Sequence, residues 1–388
     1  MTPDQVFAPI PSDGIDSLTS HRSQGIGIGN RRTWHRQKPI TFYASCFEGT
    51  TVKSSAVASP NIAFIKYWGR SQSHNRGLNI PSNDSVSMTK KGSEKGIRLQ
   101  THTTIDFSDC YEEDTAILDG HNLRGRGMER ILNVVNPLRQ RAGVDYRFRM
   151  MTTNDFPTGA GLASSAAGFA ALAVATVAAL GLDLSKEQIS TYARLGSGSA
   201  ARSVHGGFVY WHRGDSHETS FAEQVCDPDD FDLNAVIAIV HEGKKGVTSD
   251  TGHQSAGTSI FNKARVMASQ EQAGEIRDAL LDDDFARVGQ IAEKNSFYMH
   301  AVMMTSEPPL FYWHPDTLRV IKMVHRMRGE GLKGYLSIDA GPNVHVLCRP
   351  EDAQEVEKAL ERIEGVDRTI TAEPGDDAHV VKDHLFQT

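Results

Sequence analysis

Three stretches set a charged side chain among residues suited to holding a ligand. SIDAGPN places Asp339 beside a tight turn between two apolar runs, a position that suits a plain turn former and equally a catalytic base held on a rigid hairpin. NIAFIKYWGR puts Lys66, Tyr67 and Arg70 directly after an apolar strand. GSGSAARS offers Arg202 among Ser197, Ser199 and small residues that let a ligand approach the backbone. Taken singly, the last two also read as solvated charges at a strand end and as a helix-ending turn.

A further chemistry is offered by FPTGAGLASSAAGFAALAVATVAALGL, residues 156–182, which contains no charged side chain. The run is long enough to cross a bilayer as a helix, but Ala, Gly and Ser dominate where membrane helices are rich in Leu, Ile, Val and Phe. Pro157, Gly159 and Gly161 make its first third a poor helix and leave only a short run from Ser164 to Leu180. It reads instead as a Gly-rich loop running into the N-terminus of a buried helix, where free N–H groups and the helix dipole favour an anion. Ser164 and Ser165 add hydroxyls that can donate to phosphate or help hold Mg²⁺. An ordinary Ala-rich core helix is the plainer alternative. The run is not a Walker A motif, because no Gly-Lys-Ser/Thr closes it.

The elements that must position these groups interleave strands and helices. Strand-like runs begin near Thr51 and continue through GIRLQTHTTIDF, AILDGHNL and DYRFRMMTTNDF, with an amphipathic helix in GMERILNVVNPLRQRAG. LSKEQISTYARLGSGSAARSV reads as a helix ending in small residues, before the strands GGFVYWHR and LNAVIAIVHE. Helices are expected over Ser259–Ser269, Gln272–Leu281, Asp284–Phe297 and Thr317–Arg328, then strands on either side of GPN, the helix PEDAQEVEKALERIEG, and a last strand near Thr369–Thr371 or Ala378–Val381. A domain change is expected near residues 225–245, after a leader over residues 1–50 that lacks periodicity. Within the leader, GIGIGN is followed by RRTWHRQKP, not an apolar helix, and so is not a dinucleotide motif.

Composition narrows the partners. At 388 residues two domains are expected, and a formal charge of −7 argues against a general nucleic-acid binder. Cys46, Cys110, Cys226 and Cys348 lack CxxC spacing, so they read as reduced thiols of a cytoplasmic protein. There is no secretory signal, membrane span or internal repeat in the pattern.

Taken together, these stretches resemble the mevalonate diphosphate decarboxylases and their close relatives in the GHMP kinase superfamily. FPTGAGLASSAAGFAAL is similar to the superfamily's phosphate-binding loop in its decarboxylase form, and NIAFIKYWG, GSGSAARS and DAGPNVHVL to the other decarboxylase signatures. AEKNSFYMHAVMMTSEPPLFYW, residues 292–313, is similar to a C-terminal-domain segment, and the resemblance runs in order from about Ser54 to the C-terminus. It implies an α+β chain of two domains, an N-terminal one like ribosomal protein S5 domain 2 over residues 51–235 and a ferredoxin-like one over 236–388. The site would lie in the cleft between them. The implied reaction uses ATP and Mg²⁺ to phosphorylate the tertiary hydroxyl of a phosphorylated mevalonate, after which phosphate and carbon dioxide leave. Homodimers are usual for the family.

By the same resemblance, Asp339 is the base or orienting group, and Lys66 lies near it and supports its ionised form. Arg202 binds the substrate carboxylate, and Ser197 and Ser199 hydrogen-bond substrate oxygens. Tyr67 and Arg70 fall at the distal phosphate. Gly159, Gly161, Ala163, Ser164 and Ser165 belong to the ATP phosphate loop, with the two serines near Mg²⁺, and Asn83, Ser85 and Ser87 of NIPSNDSVSM are candidates for the ATP base. Arg70 stands where family members commonly have Lys, and SQSHNRG replaces a short acidic turn, so the diphosphate and monophosphate substrates both stay open. EPGDDAHVV is similar to the bacterial decarboxylases acting on 5-phosphomevalonate. A kinase that does not decarboxylate and a catalytically silent sensor are the remaining alternatives; the intact DAGPN and GSGSAAR stretches argue against both.

Overall fold

The computed structural model describes residues 52–71, 77–93, 97–156, 163–241 and 247–386. The expected leader, Cys46, Gly159 and Gly161 lie outside these. Small and β-branched residues form β1 (Val52–Ala58), and Pro60 separates it from β2 (Asn61–Ala63). β3 (Ser85–Gly92) and β4 (Thr101–Ser108) follow. β5 (Thr115–Leu118) and β6 (His121–Asn122) form a hairpin over Asp119-Gly120, both at positive φ, as a two-residue turn matched to strand twist requires. α1 (Arg126–Ala142) buries Ile131, Val134, Val135 and Leu138 along one stripe, and β7 (Arg147–Asn154) follows it.

α2 (Ser164–Ala179) is the Ala-rich helix, apolar almost all round and buried between β1, β4 and the neighbouring helices. α3 (Lys186–Gly196) starts at a capping box in which the Ser185 hydroxyl and the Gln188 side chain satisfy each other's backbone N–H groups. It runs straight into a 3₁₀ turn, Gly198–Ser203, that carries Arg202. After β8 (Phe208–Trp211) and β9 (Ala222–Cys226) come β10 (Asn234–Ile239), α4 (Ser249–Ser255), α5 (Asn262–Leu281), α6 (Phe285–Met304) and α7 (Pro315–Gly329). β11 (Tyr335–Ser337), β12 (Val344–Cys348), α8 (Ala353–Glu361), β13 (Arg368–Pro374) and β14 (His379–Val381) complete the described chain.

Two of these elements differ from the sequence expectation. The helices expected over Ser259–Ser269 and Gln272–Leu281 are one, α5. Buried Ser269 and Gln272 break its apolar pattern, yet Asn295 on α6 hydrogen-bonds both side chains, so the helix continues through them. α4 was not expected, since seven residues are too few to show a period; its signal is Thr248, whose hydroxyl accepts from the Thr251 N–H as an N-cap.

One sheet has the order β14-β1-β4-β7-β5-β6, backed by α1, α2 and α3. The other runs β11-β12-β10-β13-β3-β8-β9, with β2 paired to β3. α5 and α6 close one apolar core against β2, β3 and β8, while α7 and α8 close another against β10, β11 and β12. Both sheets draw on both ends of the chain: β13 pairs with β3, and β14 returns to the edge of β1. The residues around β14 form a strap. Gly207 N–H donates to the Gly375 carbonyl (2.8 Å), Gly206 N–H to the Asp377 carboxylate (2.8 Å), and Ala378 N–H to the Val204 carbonyl (3.1 Å). The strap is thus fastened just behind Arg202. Among the described residues no helix is long and apolar enough to cross a membrane.

Candidate active site

The site forms where the end of β2, the 3₁₀ turn and the β11–β12 hairpin converge. After β2, the N–H groups of Phe64 and Ile65 both donate to the Val86 carbonyl (2.7 and 3.1 Å), a two-against-one arrangement that ends strand pairing and re-aims the next residue. That residue is Lys66. Its backbone N–H is held by Asn295 Oδ1 (2.8 Å), and its ammonium donates to Ser337 Oγ and Asp339 Oδ1, both at 2.8 Å. The Lys66 side chain is 1% exposed and that of Asp339 31%, so the pair has a sealed side and an open one.

Helices hold the Asp339 turn from behind. Ser296 Oγ on α6 accepts from the Ile338 N–H (2.7 Å) and donates to the Ile338 carbonyl (3.0 Å), and the Thr317 hydroxyl on α7 donates to the Pro342 carbonyl (2.7 Å). Asn343 Oδ1 accepts from the Val240 and His241 N–H groups. Burial alone would raise the Asp339 carboxyl, but Lys66, through its charge and its hydrogen bond, outweighs it with Lys90 adding, and the carboxyl is held well below the usual carboxylate range. Burial lowers the Lys66 ammonium; Asp339 opposes that shift and Arg202 adds to it.

Arg202 is buried, its guanidinium fixed by Asn61 Oδ1 (3.0 and 3.3 Å), Ser85 Oγ (3.0 Å) and the Trp211 ring 5.5 Å away. Those bonds take three of its five N–H donors and leave capacity for a carboxylate. Burial lowers it to about 10, so it stays charged at neutral pH, and its charge reaches Asp339. Ser165 Oγ at the start of α2 lies 3.4 Å from Ser197 Oγ, which lies 3.4 Å from Ser199 Oγ. A row of hydroxyls therefore leads from the helix N-terminus to the Arg202 turn.

Ala163 caps α2 in the left-handed conformation (φ 65°), and the first turn of α2 carries no acidic side chain, which leaves this helix end able to receive an anion. No group of three or more His, Cys, Asp or Glu among the described residues is arranged to hold a metal ion. Ser164 and Ser165 offer hydroxyls that would help hold a magnesium ion arriving with the nucleotide, which would offset phosphate charge.

Tyr67 stacks on His253 (4.2 Å between ring centroids) and meets Trp211 edge-on (4.9 Å). His253 accepts from the Gly69 N–H through Nδ1 (3.0 Å), and burial together with Arg70, Arg265 and Arg202 keeps it neutral. Arg70 donates through Nε to the Tyr67 hydroxyl (3.1 Å) and is ion-paired with Asp250 of α4, which also pairs with Arg126 at the start of α1. Gly198 makes room for Tyr67, because a Cβ there would sit 2.6 Å from the ring and hydroxyl. Gly198→Ala should cost about 1–3 kcal/mol of stability and raise KM for the phosphorylated substrate; denaturant melts and steady-state kinetics would read both.

Asn83, Ser85 and Ser87 sit differently from the other predicted residues. All three are buried: Asn83 donates to the Lys66 carbonyl (3.2 Å) and accepts from Arg265 (3.0 Å), while Ser85 donates to the Ile65 carbonyl and accepts from Arg202. These bonds make Asn83 and Ser85 supports of Lys66 and Arg202. Sequence reasoning missed Asn61, Asn295, Asp250 and His253, which lie far along the chain from the groups they hold. Asn61, the first residue of NIAFIKYWG, and Asn295, in AEKNSFYMH, lie in stretches the resemblance picks out; Asp250 and His253 lie in none of them.

A helix end suited to phosphate, a buried Lys–Asp pair and an anchored arginine are the groups expected of an enzyme that transfers phosphoryl groups to small anionic molecules. Residues 58–222 match the family model described as diphosphomevalonate decarboxylase-like N-terminal domain, and residues 235–382 that of the mevalonate 5-diphosphate decarboxylase C-terminal domain. The phosphomevalonate decarboxylase of Haloferax volcanii is 34% identical over 80% of this chain and 92% of its own. The diphosphomevalonate decarboxylase of Debaryomyces hansenii is 33% identical over 79% and 82%. A solved structure described as MDDEF in complex with MVAPP, AMPPCP and magnesium superposes with a TM-score of 0.79 at 34% identity, over 86% of this chain and 100% of the other. The chain belongs to the mevalonate diphosphate decarboxylase family.

Proposed function

We propose that this protein decarboxylates 5-diphosphomevalonate with ATP, giving isopentenyl diphosphate, ADP, phosphate and carbon dioxide. The observation that carries the reading is the Lys66–Asp339 pair, sealed on one side and open on the other, with Arg202 within electrostatic reach. Asp339 takes the proton of the tertiary hydroxyl as that oxygen bonds to the γ-phosphorus of ATP and ADP departs. The C–O bond of the new phosphate ester then breaks with its electron pair going to phosphate. The bond to the carboxylate carbon breaks in turn, its electrons forming the C=C bond, and carbon dioxide leaves. Arg202 orients that carboxylate, and Lys66 keeps Asp339 ionised until it accepts the proton. Mg²⁺ beside Ser164 and Ser165 would neutralise charge on the transferring phosphates. On this reading the protein is a cytoplasmic homodimer, which sedimentation of the purified chain would test.

Asp250 favours a second reading, in which 5-phosphomevalonate is the substrate. Its carboxylate takes up Arg70, the cation expected at the distal phosphate, and also pairs with Arg126, and so leaves less positive charge for a diphosphate. Steady-state rates with each substrate, ADP and carbon dioxide both measured, decide between the readings; ADP without carbon dioxide would mean a kinase. Asp250→Asn should raise kcat/KM for the diphosphate relative to the monophosphate by about twofold to fivefold, the effect of one partly exposed charge.

A further inference from the structure

Beside the Lys66–Asp339 pair lies a second pair that the mechanism above does not use: His345 is the cross-strand partner of Ser337, the residue that accepts from the Lys66 ammonium (2.8 Å) two positions before Asp339. Lys90 on β3 and His345 on β12 bring Nζ and Nε2 to 2.9 Å, both shut off from solvent. β13 and β10 separate the two strands, so the side chains meet across one face of the sheet. A buried lysine ordinarily has a carboxylate partner; among the described residues this one's hydrogen-bond partner is an imidazole. Accepting through Nε2 places the His345 proton on Nδ1, which is buried without a hydrogen-bond partner.

Two apolar side chains would fill this space at no such cost, so the fold alone does not account for the pair. Asp339 does. Its carboxylate is the anion that both groups feel, and each in turn acts on it. The other charged or titratable groups around this centre are Lys66 after β2, Arg202 on the 3₁₀ turn and His300 on α6, where burial and Lys66 bring the imidazole to about 3. Burial brings Lys90 to about 8, with Asp339 opposing and Lys66 adding. His345, held far below its ordinary value by burial and Lys90, is neutral.

We propose that Lys90 and His345 are a positioning pair for the decarboxylation site, a second cation and its orienting imidazole set beside Asp339 to keep its carboxylate able to accept a proton once an anionic substrate has closed over it. The proposal rests on the decarboxylase reading above. Substrate phosphate and carboxylate push Asp339 toward protonation against Lys66, while Arg202 is taken up by the substrate carboxylate; Lys90 adds to the opposition from Lys66. Its support fades as pH rises through about 8. Because the unfolded chain still binds this proton up to the ordinary lysine range, the pair's cost to stability shrinks over the same rise.

The test compares Lys90→Met/His345→Val, an apolar pair that keeps the space filled, with Lys90→Arg and the native chain. The double variant should melt at a higher temperature, lose at least about tenfold in kcat with KM for ATP unchanged, and lose the alkaline limb near pH 8. Lys90→Arg should recover most of the rate and move that limb upward. A double variant with native kcat and pH profile overturns the proposal, whatever its melting temperature. A measurement without substrate separates failure here from failure of the decarboxylase reading. The ¹³Cε signal of Lys90 in the free protein should titrate near pH 8 and fall by about one unit or more in Asp339→Asn, where the stabilising carboxylate is gone. An unchanged midpoint would show that the pair and Asp339 do not communicate.

Discussion

Asp339→Asn should lower turnover by about 10³-fold or more while substrate still binds. Asparagine preserves the shape of the turn, and the backbone holds from Ser296, Thr317 and Asn343 do not depend on the carboxylate. What disappears is the acceptor for the hydroxyl proton. Lys66 loses its charged partner and keeps Ser337, so its buried ammonium is further disfavoured and the fold gives up some stability. Single-turnover release of carbon dioxide, set beside calorimetric binding of the phosphorylated mevalonate, separates chemistry from affinity. Near-native release in this variant would remove Asp339 from the mechanism.

Arg202→Lys should be nearly as damaging, with kcat/KM for the mevalonate substrate down by about 10²–10³-fold, or about 3–4 kcal/mol of transition-state binding. A lysine keeps the charge but cannot bond Asn61 and Ser85 at once while presenting two parallel donors to a carboxylate. Asn61 and Ser85 would be left with buried, underused oxygens, adding a structural cost. KM for ATP should hardly move, since the nucleotide is expected at the start of α2. A lysine variant with native kcat/KM would show that the carboxylate is bound elsewhere.

Much of the site was legible because its key residues sit in short stretches whose local geometry is set by neighbours. Pro342 and Gly341 shape the Asp339 turn, and the small residues of GSGSAARS let α3 run into the 3₁₀ turn that presents Arg202. Ser164 and Ser165 were singled out through what their helix lacks, namely charge. The illegible part consists of groups joined across long sequence separations. Asp250 meets Arg70 through a seven-residue helix with no period to detect, and Lys90 in SVSMTKKG looks like a solvated strand end until β12 brings His345 over it. Asn83 and Ser85, offered in the sequence as candidates for the ATP base, are buried and bonded to Arg265 and Arg202, partners that no local pattern shows. The second sheet was hidden for the same reason, because pairing β3 with β13 follows from no local pattern.

The return of β14 to β1 carries a consequence for how the protein is made. The edge of β1 stays unpaired throughout synthesis of both cores, until the chain has been made as far as Val381. Until then the strap cannot reach Val204, Gly206 and Gly207, and the turn bearing Arg202 lacks its backing. A nascent chain that has not yet reached β14 therefore lacks this backing, and its open strand edge needs protection meanwhile.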